Sequence, residues 1–225
     1  SSSATKHPNF KVSAADWNKT AANYADNISR APMSIPITRL IELLNTHSAF
    51  SSATRILDIG CGPGNGTAAI ISSFHATLPS STQLLATDFS SGMVDVVSRA
   101  RLSQLKELEN GTEKDTWARV QPLVLDAMDL GPLLDNSISH IIANFVFFMT
   151  EGPEKCLAEA LRVLQAQGVC AFSSWHRMQW MELLELAAQR AFTGFGKPKP
   201  EMPTISADWS DKEGIEKSLK QADFN

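Results

Sequence analysis

The sequence predicts an α/β fold: a doubly wound, mostly parallel sheet with helices on both faces and a helical cap at the N-terminus. Two observations support this. Apolar strands alternate with amphipathic helices from residue 55 to about residue 187, which is typical of a parallel sheet. The run at residues 140–145 is apolar with little alternation, as expected for a strand that is buried on both faces.

The N-terminal segment contains two predicted helices, which together form the cap at residues 1–50. Core packing alone would explain their pattern, so the pattern assigns no role by itself. Apolar and aromatic residues recur at the spacing of one helix face: Ala14, Trp17, Ala21, Tyr24 and Ile28 in the first helix, and Leu40, Ile41 and Leu44 in the second.

A glycine-rich loop begins the second predicted unit, residues 51–225. It follows an apolar strand that carries Asp58, and a helix is predicted from Thr67 onward. Glycine lacks a Cβ, so the main chain can turn sharply here and approach a ligand at the start of the helix. The glycines stand at alternate positions: Gly60, Gly62, Gly64 and Gly66.

The glycine spacing separates two classes of nucleotide cofactor. A dinucleotide loop has the pattern G-x-G-x-x-G, but the third position is Asn65 when counted from Gly60 and Thr67 when counted from Gly62. The chain instead has D-x-G-x-G-x-G, starting at Asp58. This pattern resembles the cofactor loop of the class I (Rossmann-like) S-adenosylmethionine (SAM) methyltransferases, in particular the ubiquinone/menaquinone-type and natural-product small-molecule enzymes.

A second apolar strand ends in a carboxylate, Asp88. An acid at the tip of the second strand of a strand–helix–strand unit lies beside the first loop, so Asp88 is predicted to accept the ribose hydroxyls. Phe89 is predicted to cover the adenine. Ser90 or Ser91 is predicted to cap the next helix, which places Met93 in its first turn.

The end of the third strand carries a second predicted adenine contact. The resemblance places Asp126 at the adenine amino group, with Ala127 and Met128 beside the ring. Asp129 is expected to cap a short helix that runs to Leu134.

The resemblance also implies contacts to the methionine end of SAM. Backbone carbonyls at the tip of the fourth strand would hold it, and the N-terminal helix would close over it. The residues predicted at the cofactor are Tyr24, Asp58, Gly60, Cys61, Gly62, Gly64, Thr67, Asp88, Phe89, Met93, Asp126, Ala127, Met128, Asn144 and Phe145.

The C-terminal part departs from the family pattern. A charged loop is predicted up to Asp115, a helix from Pro153 to Gly168, and then a fifth strand at residues 169–172. The family's sheet is completed by an antiparallel hairpin after the fifth unit, and these strands are predicted to be absent from this chain. We therefore expect either that the natural chain continues or that a second copy or a partner chain covers the open edge.

Candidate acceptor-site residues lie beyond the strand tips. His176 follows the fifth strand, and an imidazole there has a suitable pKa for taking a proton from a hydroxyl, although a role in shaping the loop is an open alternative. Trp17, Phe148, Met149 and Trp175 are predicted to bind the substrate, although they are equally compatible with core packing.

Composition limits the partners of the chain. It has 225 residues, 43% of them hydrophobic, and a formal net charge of −4 without a basic run, so nucleic-acid binding is not expected. It contains neither a transmembrane-length apolar segment nor a secretory signal pattern. The three unclustered cysteines indicate reduced thiols in the cytoplasm and no metal site.

These observations predict an enzyme that transfers the methyl group of SAM to a small molecule by in-line displacement. The resemblance to small-molecule methyltransferases and the predicted aromatic residues favour O-methylation of an aromatic or polyketide-like secondary metabolite. Two alternatives stay open at this point. One is a protein methyltransferase or regulator of secondary metabolism with the same cofactor loop, and the other is a catalytically silent binding module that pairs with a partner chain.

Overall fold

A computed structural model of the chain describes residues 13–28, 34–176, 179–194 and 207–224. Residues 1–12 of the predicted cap lie outside this description. The helices and strands follow in chain order: α1 (Ala14–Ile28), α2 (Ser34–His47), β1 (Arg55–Ile59), α3 (Asn65–Phe74), β2 (Gln83–Asp88), α4 (Ser91–Glu107), α5 (Thr112–Ala118), β3 (Val120–Val124), β4 (Ile138–Asn144), α6 (Pro153–Val163), β5 (Leu164–Ser173), α7 (Gln179–Gly194), α8 (Ala207–Ser210) and α9 (Lys212–Gln221).

The described strands form one parallel sheet in the order β3-β2-β1-β4-β5. The strand order reverses at β1, which pairs with β2 on one side and with β4 on the other. Ligands of such sheets bind at the carboxyl ends of the strands beside this reversal. The predicted α/β, Rossmann-like fold class is confirmed, and the glycine loop after β1 lies at the reversal.

Helices cover both faces of the sheet. Successive strand residues point to opposite faces, and the neighbours Ile56 and Leu57 accordingly belong to two different clusters of buried apolar side chains. The first cluster includes residues of α2, α3 and α5, and the second includes residues of α6 and the buried Trp209 of α8. This burial fixes the register of β1 and therefore the position of the loop that follows it.

Both predicted N-terminal helices are present, but they pack differently. Helix α1 contacts α4, whereas α2 packs against α3, β4 and β5. Leu40, Ile41 and Leu44 of α2 are buried in the same cluster as Ile56 of β1. Helix α2 therefore packs on the sheet, and the division of the chain at residue 50 stays a prediction.

Two predictions, a loop before the third strand and a short helix after it, were wrong. The charged loop up to Asp115 is instead helix α5, because Trp117 is buried against the core and anchors that turn of chain. The short helix after Asp129 is instead a turn, in which the Asp129 side chain accepts a hydrogen bond from the Gly131 N–H at 3.0 Å.

The boundary between α6 and β5 also differs from the prediction. Helix α6 ends at Val163 rather than at Gly168, and β5 already begins at Leu164, which pairs with Ile138 of β4. A register shift between Ile138 and His140 accommodates the longer strand. Pairing with β4 thus ends the helix earlier than its apolar pattern indicates.

Strand β5 lies at one edge of the sheet among the described residues. Helix α7, which follows it, exposes Leu183, Leu184 and Leu186. Helices α8 and α9, which were not predicted, pack against the second cluster at this end of the sheet, with the Trp209 ring centroid 5.9 Å from that of Phe172.

Among the described helices, none has the combined length and apolar character that crossing a bilayer requires.

Candidate active site

The loop after β1 turns through three glycines with positive φ: Gly60 at 59°, Gly62 at 53° and Gly64 at 92°. Side chains rarely adopt this left-handed region, so the local conformation requires glycine. Gly64 is the N-cap of α3, which begins at Asn65, two residues before the predicted start. The turn leaves the loop backbone lining a cavity at the carboxyl ends of the strands.

Close packing explains two of the four glycines. A Cβ on Gly60 would lie 2.5 Å from Cγ2 of Val146, and a Cβ on Gly66 would lie 2.8 Å from the Oδ2 atom of Asp58. Gly66 therefore lies inside α3 and lets that helix approach β1, rather than forming part of the turn. By contrast, a Cβ on Gly62 would meet only Cε1 of Tyr24 at 3.9 Å.

Asp58 is buried at the end of β1 and connects that strand to α3. Its Oδ2 atom accepts hydrogen bonds from the Thr67 N–H at 2.9 Å and from the Thr67 hydroxyl at 2.8 Å. One unpaired N–H of the first helical turn is thereby satisfied. Burial raises the pKa of the Asp58 carboxyl to about 7, although the bonds from Thr67 oppose this shift.

Asp88 at the tip of β2 fastens two loops together. Its Oδ2 atom accepts a hydrogen bond from the Gly62 N–H at 2.9 Å, and its Oδ1 atom accepts one from the Ser90 N–H at 2.9 Å. Each carboxylate oxygen retains a further acceptor site. Burial raises the pKa of Asp88. Ser90, one of the two predicted caps, accepts from the Met93 N–H at 3.2 Å.

One cavity of about 370 Å³ brings most of the predicted residues together. It lies against the glycine loop and the tips of β2, β3 and β4. The predicted site residues in its wall are Trp17, Tyr24, Asp58, Gly60, Cys61, Gly62, Asp88, Phe89, Met93, Asp126, Ala127, Met128, Asn144, Phe145, Met149 and Trp175.

The tip of β4 carries an aromatic wall. Phe145 has a positive φ of 58°, which is strained for a side chain of this size. Its N–H donates to the Ser173 hydroxyl at 2.9 Å, and that hydroxyl donates to Asn144 Oδ1 at 2.8 Å. The ring of Phe145 stacks on Trp175, with ring centroids 4.4 Å apart and planes 11° apart. Backbone strain held by such a network is typical of ligand sites.

Helix α1 places Trp17 and Tyr24 at the cavity, where the two rings meet edge to face with centroids 5.1 Å apart. Burial and the negative charge of Asp88 raise the pKa of Tyr24, so its hydroxyl keeps its proton. Burial likewise raises the pKa of the Cys61 thiol well above its ordinary value. Both groups are therefore uncharged at neutral pH, and Cys61 is a weak nucleophile.

Four predicted site residues lie outside the cavity wall. Gly64 and Thr67 act within the turn and the start of α3. Phe148 is buried in the core against Phe145, so packing is its evident role. The exposed ring of His176 has its Nδ1 atom 3.1 Å from the Ser210 carbonyl oxygen, and this position gives no support to a catalytic role.

Several residues of the wall were not predicted. Pro63 lies in the glycine loop and Gly66 in the first turn of α3, and the glycine pattern around them was the available signal. Val146, Thr150 and Glu151 follow β4 in a loop without a motif, so only the fold brings them to the cavity.

The charges of the wall test which cofactor fits. Asp58, Asp88, Asp126 and Glu151 line the cavity, and among the described residues no lysine, arginine or histidine does. A pyrophosphate would bring two further negative charges beside these acidic side chains, whereas the sulfonium and ammonium groups of SAM bring positive charges that the acids attract. The exposed main chain of the loop leaves room for the close approach of such a ligand.

Comparison with known proteins agrees with this geometry. The methyltransferase domain family matches residues 57–172. "Methyltransferase ucsB" of Acremonium sp is 33% identical over 212 residues, which cover 94% of this chain and 69% of that protein. This chain belongs to the SAM-dependent methyltransferases. Its cofactor is SAM, and the cavity beside the glycine loop is the candidate site for this cofactor.

Solved structures show the same fold. A SAM-dependent methyltransferase from Aquifex aeolicus has a TM-score of 0.57 at 16% identity, covering 95% of this chain and 89% of that one. Haemonchus contortus phosphoethanolamine N-methyltransferase 2, solved with phosphomonomethylethanolamine and S-adenosylhomocysteine, has a TM-score of 0.59 at 19% identity. That match covers 94% of this chain but only 44% of the Haemonchus protein.

The buried Asp58 makes the stability of this methyltransferase depend on pH. Its pKa is about 7 in the folded protein, above that of an unfolded aspartate, so the folded protein keeps a proton that the unfolded chain has lost. The ligand-free protein is therefore expected to lose about 1 kcal/mol of unfolding free energy per unit as pH rises from about 4 to about 7. Urea titrations at several pH values measure this slope.

Asp58→Asn is the matched control for the pH titration, because asparagine retains an acceptor for the Thr67 N–H but does not titrate. The variant is expected to show a shallower slope than the wild type. Equal slopes in the two proteins would show that Asp58 is not the titrating group. The raised pKa of Asp88 contributes in the same direction and remains in both proteins.

Proposed function

We propose that this SAM methyltransferase methylates a small aromatic acceptor, with oxygen as the methylated atom. The observation that carries the proposal is the aromatic wall of the cofactor cavity. Trp17, Phe145 and Trp175 line the same cavity as the glycine loop. Flat aromatic side chains stack on planar rings, so such a wall suits an aromatic or polyketide-like secondary metabolite.

When bound, SAM supplies an electrophilic methyl group on a sulfonium sulfur. The protein's part is to hold the acceptor oxygen in line with that methyl group and to exclude water from the contact. The loop backbone and the carboxylate of Asp88 would hold the cofactor, and Trp17 and Trp175 would orient the acceptor ring. Among the described residues no histidine lines the cavity, so positioning, rather than proton removal by an imidazole, would supply most of the rate enhancement.

The test has two stages that separate cofactor binding from acceptor choice. Titration calorimetry with SAM and with S-adenosylhomocysteine should show binding of both; no heat with either would favour the silent binding module. Methyl transfer from tritiated SAM is then measured with matched phenol, aniline and benzoate probes and with cell protein. Label in the phenol ether supports the proposal, whereas label in protein would establish the protein methyltransferase alternative.

Two further proposals concern the surroundings of the protein. No strand among the described residues pairs with the outer edge of β5, and α7, which follows β5 in the chain, exposes leucines. These features support cover by further chain, a second copy or a partner chain. Mass determination by light scattering tests self-association.

The free thiols of Cys61, Cys156 and Cys170 support a cytoplasmic location, which imaging of a tagged protein tests.

A further inference from the structure

Asn18 connects helix α1 to the start of α4 although the two lie more than seventy positions apart in sequence. Its side-chain Oδ1 atom accepts hydrogen bonds from the Ser90 hydroxyl at 2.7 Å and from the Gly92 N–H at 2.8 Å. The N–H groups of a first helical turn have no partner within the helix. Asn18 thus supplies, from a different helix, the acceptor that the Gly92 N–H lacks.

The contact continues to the cofactor cavity through a chain of hydrogen bonds. The Ser90 hydroxyl also accepts from the Met93 N–H at 3.2 Å, and the Ser90 N–H donates to Asp88 Oδ1 at 2.9 Å. The other oxygen of Asp88 accepts from the Gly62 N–H at 2.9 Å. The position of α1 is therefore linked to the carboxylate and the loop that face the cofactor.

The backbones at this contact are close because residue 92 is glycine. A Cβ at Gly92 would lie 3.0 Å from the Cα atom and 3.1 Å from the Oδ1 atom of Asn18. The residue next to Asn18, Trp17, lines the cavity, as does Tyr24 two turns further along α1. A shift of α1 at Asn18 would therefore move both aromatic rings away from the cavity.

We propose that Asn18 is a positioning residue for the cofactor: its amide oxygen fastens α1 to the start of α4 and so holds Trp17 and Tyr24 over bound SAM. Asn18 itself is exposed and does not line the cavity. Its effect is on how long the cofactor stays, because release requires α1 to move aside. The inference depends on the cofactor site and not on the identity of the acceptor.

The test measures release of S-adenosylhomocysteine by stopped flow from the full chain. Asn18→Ala is expected to speed release about tenfold, the effect of losing roughly one net hydrogen bond. Asn18→Asp retains the acceptor oxygen at the N-terminus of α4 and is expected to release at close to the wild-type rate. Asn23→Ala, an exposed asparagine on the same helix, is the matched control and should leave the rate unchanged.

Gly92→Ala provides a second test with Asn18 intact. The higher helix propensity of alanine opposes the cost of crowding against α1, so the melting temperature of the ligand-free protein should change little. The new Cβ crowds α1, so release should nevertheless accelerate as in Asn18→Ala. Wild-type release rates in both Asn18→Ala and Gly92→Ala would overturn the proposal. Equal acceleration by Asn18→Asp and Asn18→Ala would also overturn it, because the oxygen would then not matter.

Discussion

Replacing Gly60 by alanine is expected to abolish measurable SAM binding and to destabilise the fold. The new Cβ would lie 2.5 Å from Cγ2 and 2.8 Å from Cγ1 of Val146, and the residue would retain its φ of 59°. Left-handed strain costs about 1–2 kcal/mol and overpacking about 1–3 kcal/mol, so we expect a loss of about 2–5 kcal/mol. Urea unfolding measures the loss of stability, and calorimetry with SAM measures binding.

Gly62→Ala is the matched control for this substitution. Its φ of 53° imposes a similar strain, but the nearest atom outside its chain neighbours lies 3.9 Å from the new Cβ. Only the strain of about 1–2 kcal/mol is then expected. Adding Val146→Ala to Gly60→Ala should recover part of the stability by removing the clash. Equal effects of the two glycine substitutions would show that the contact with Val146 is unimportant.

Asp88→Ala is expected to weaken SAM binding about 5- to 150-fold, which corresponds to about 1–3 kcal/mol. The Gly62 and Ser90 N–H groups lose the acceptors to which they donate at 2.9 Å, and the ribose hydroxyls would lose the acceptor that Asp88 is predicted to supply. The loop and the cofactor are thus affected together. Calorimetry with SAM, performed on the variant and the wild type at the same pH, measures the change in affinity.

Asp88→Asn separates the two effects of this substitution. Asparagine keeps one acceptor oxygen but presents an amide N–H₂ where the second carboxylate oxygen stood. Its affinity for SAM should therefore lie between those of the wild type and Asp88→Ala. Unchanged affinity in Asp88→Ala would remove Asp88 from the cofactor site.

The cofactor class could be predicted from sequence because its signal is local. The alternation of Gly60, Gly62 and Gly64 reflects backbone conformations that only glycine adopts easily, and all three have positive φ. The place of Asp88 follows from the geometry of a strand–helix–strand unit, and the structure puts it beside Gly62. These features depend on neighbouring segments alone, so the pattern of residues is sufficient.

The predictions that failed involve packing between distant segments. The segment predicted as a charged loop forms helix α5 because the ring of Trp117 is buried in the core. Pairing of Leu164 with Ile138 ended α6 early. His176 follows a strand as predicted, and its ring lies against the Ser210 carbonyl outside the cavity wall, so its catalytic role stays a prediction. No local pattern contains these contacts.

The sequence by itself determined the fold class and the turn of the glycine loop, because apolar periodicity and glycine conformation are properties of short segments. Only the tertiary structure decided which aromatic residues line the cavity. Phe145 and Trp175 line the cavity, whereas Phe148 is buried in the core. The contact of Asn18 with Gly92 was likewise invisible in the sequence, because two helices must first pack before an amide oxygen on one can accept from the backbone of the other.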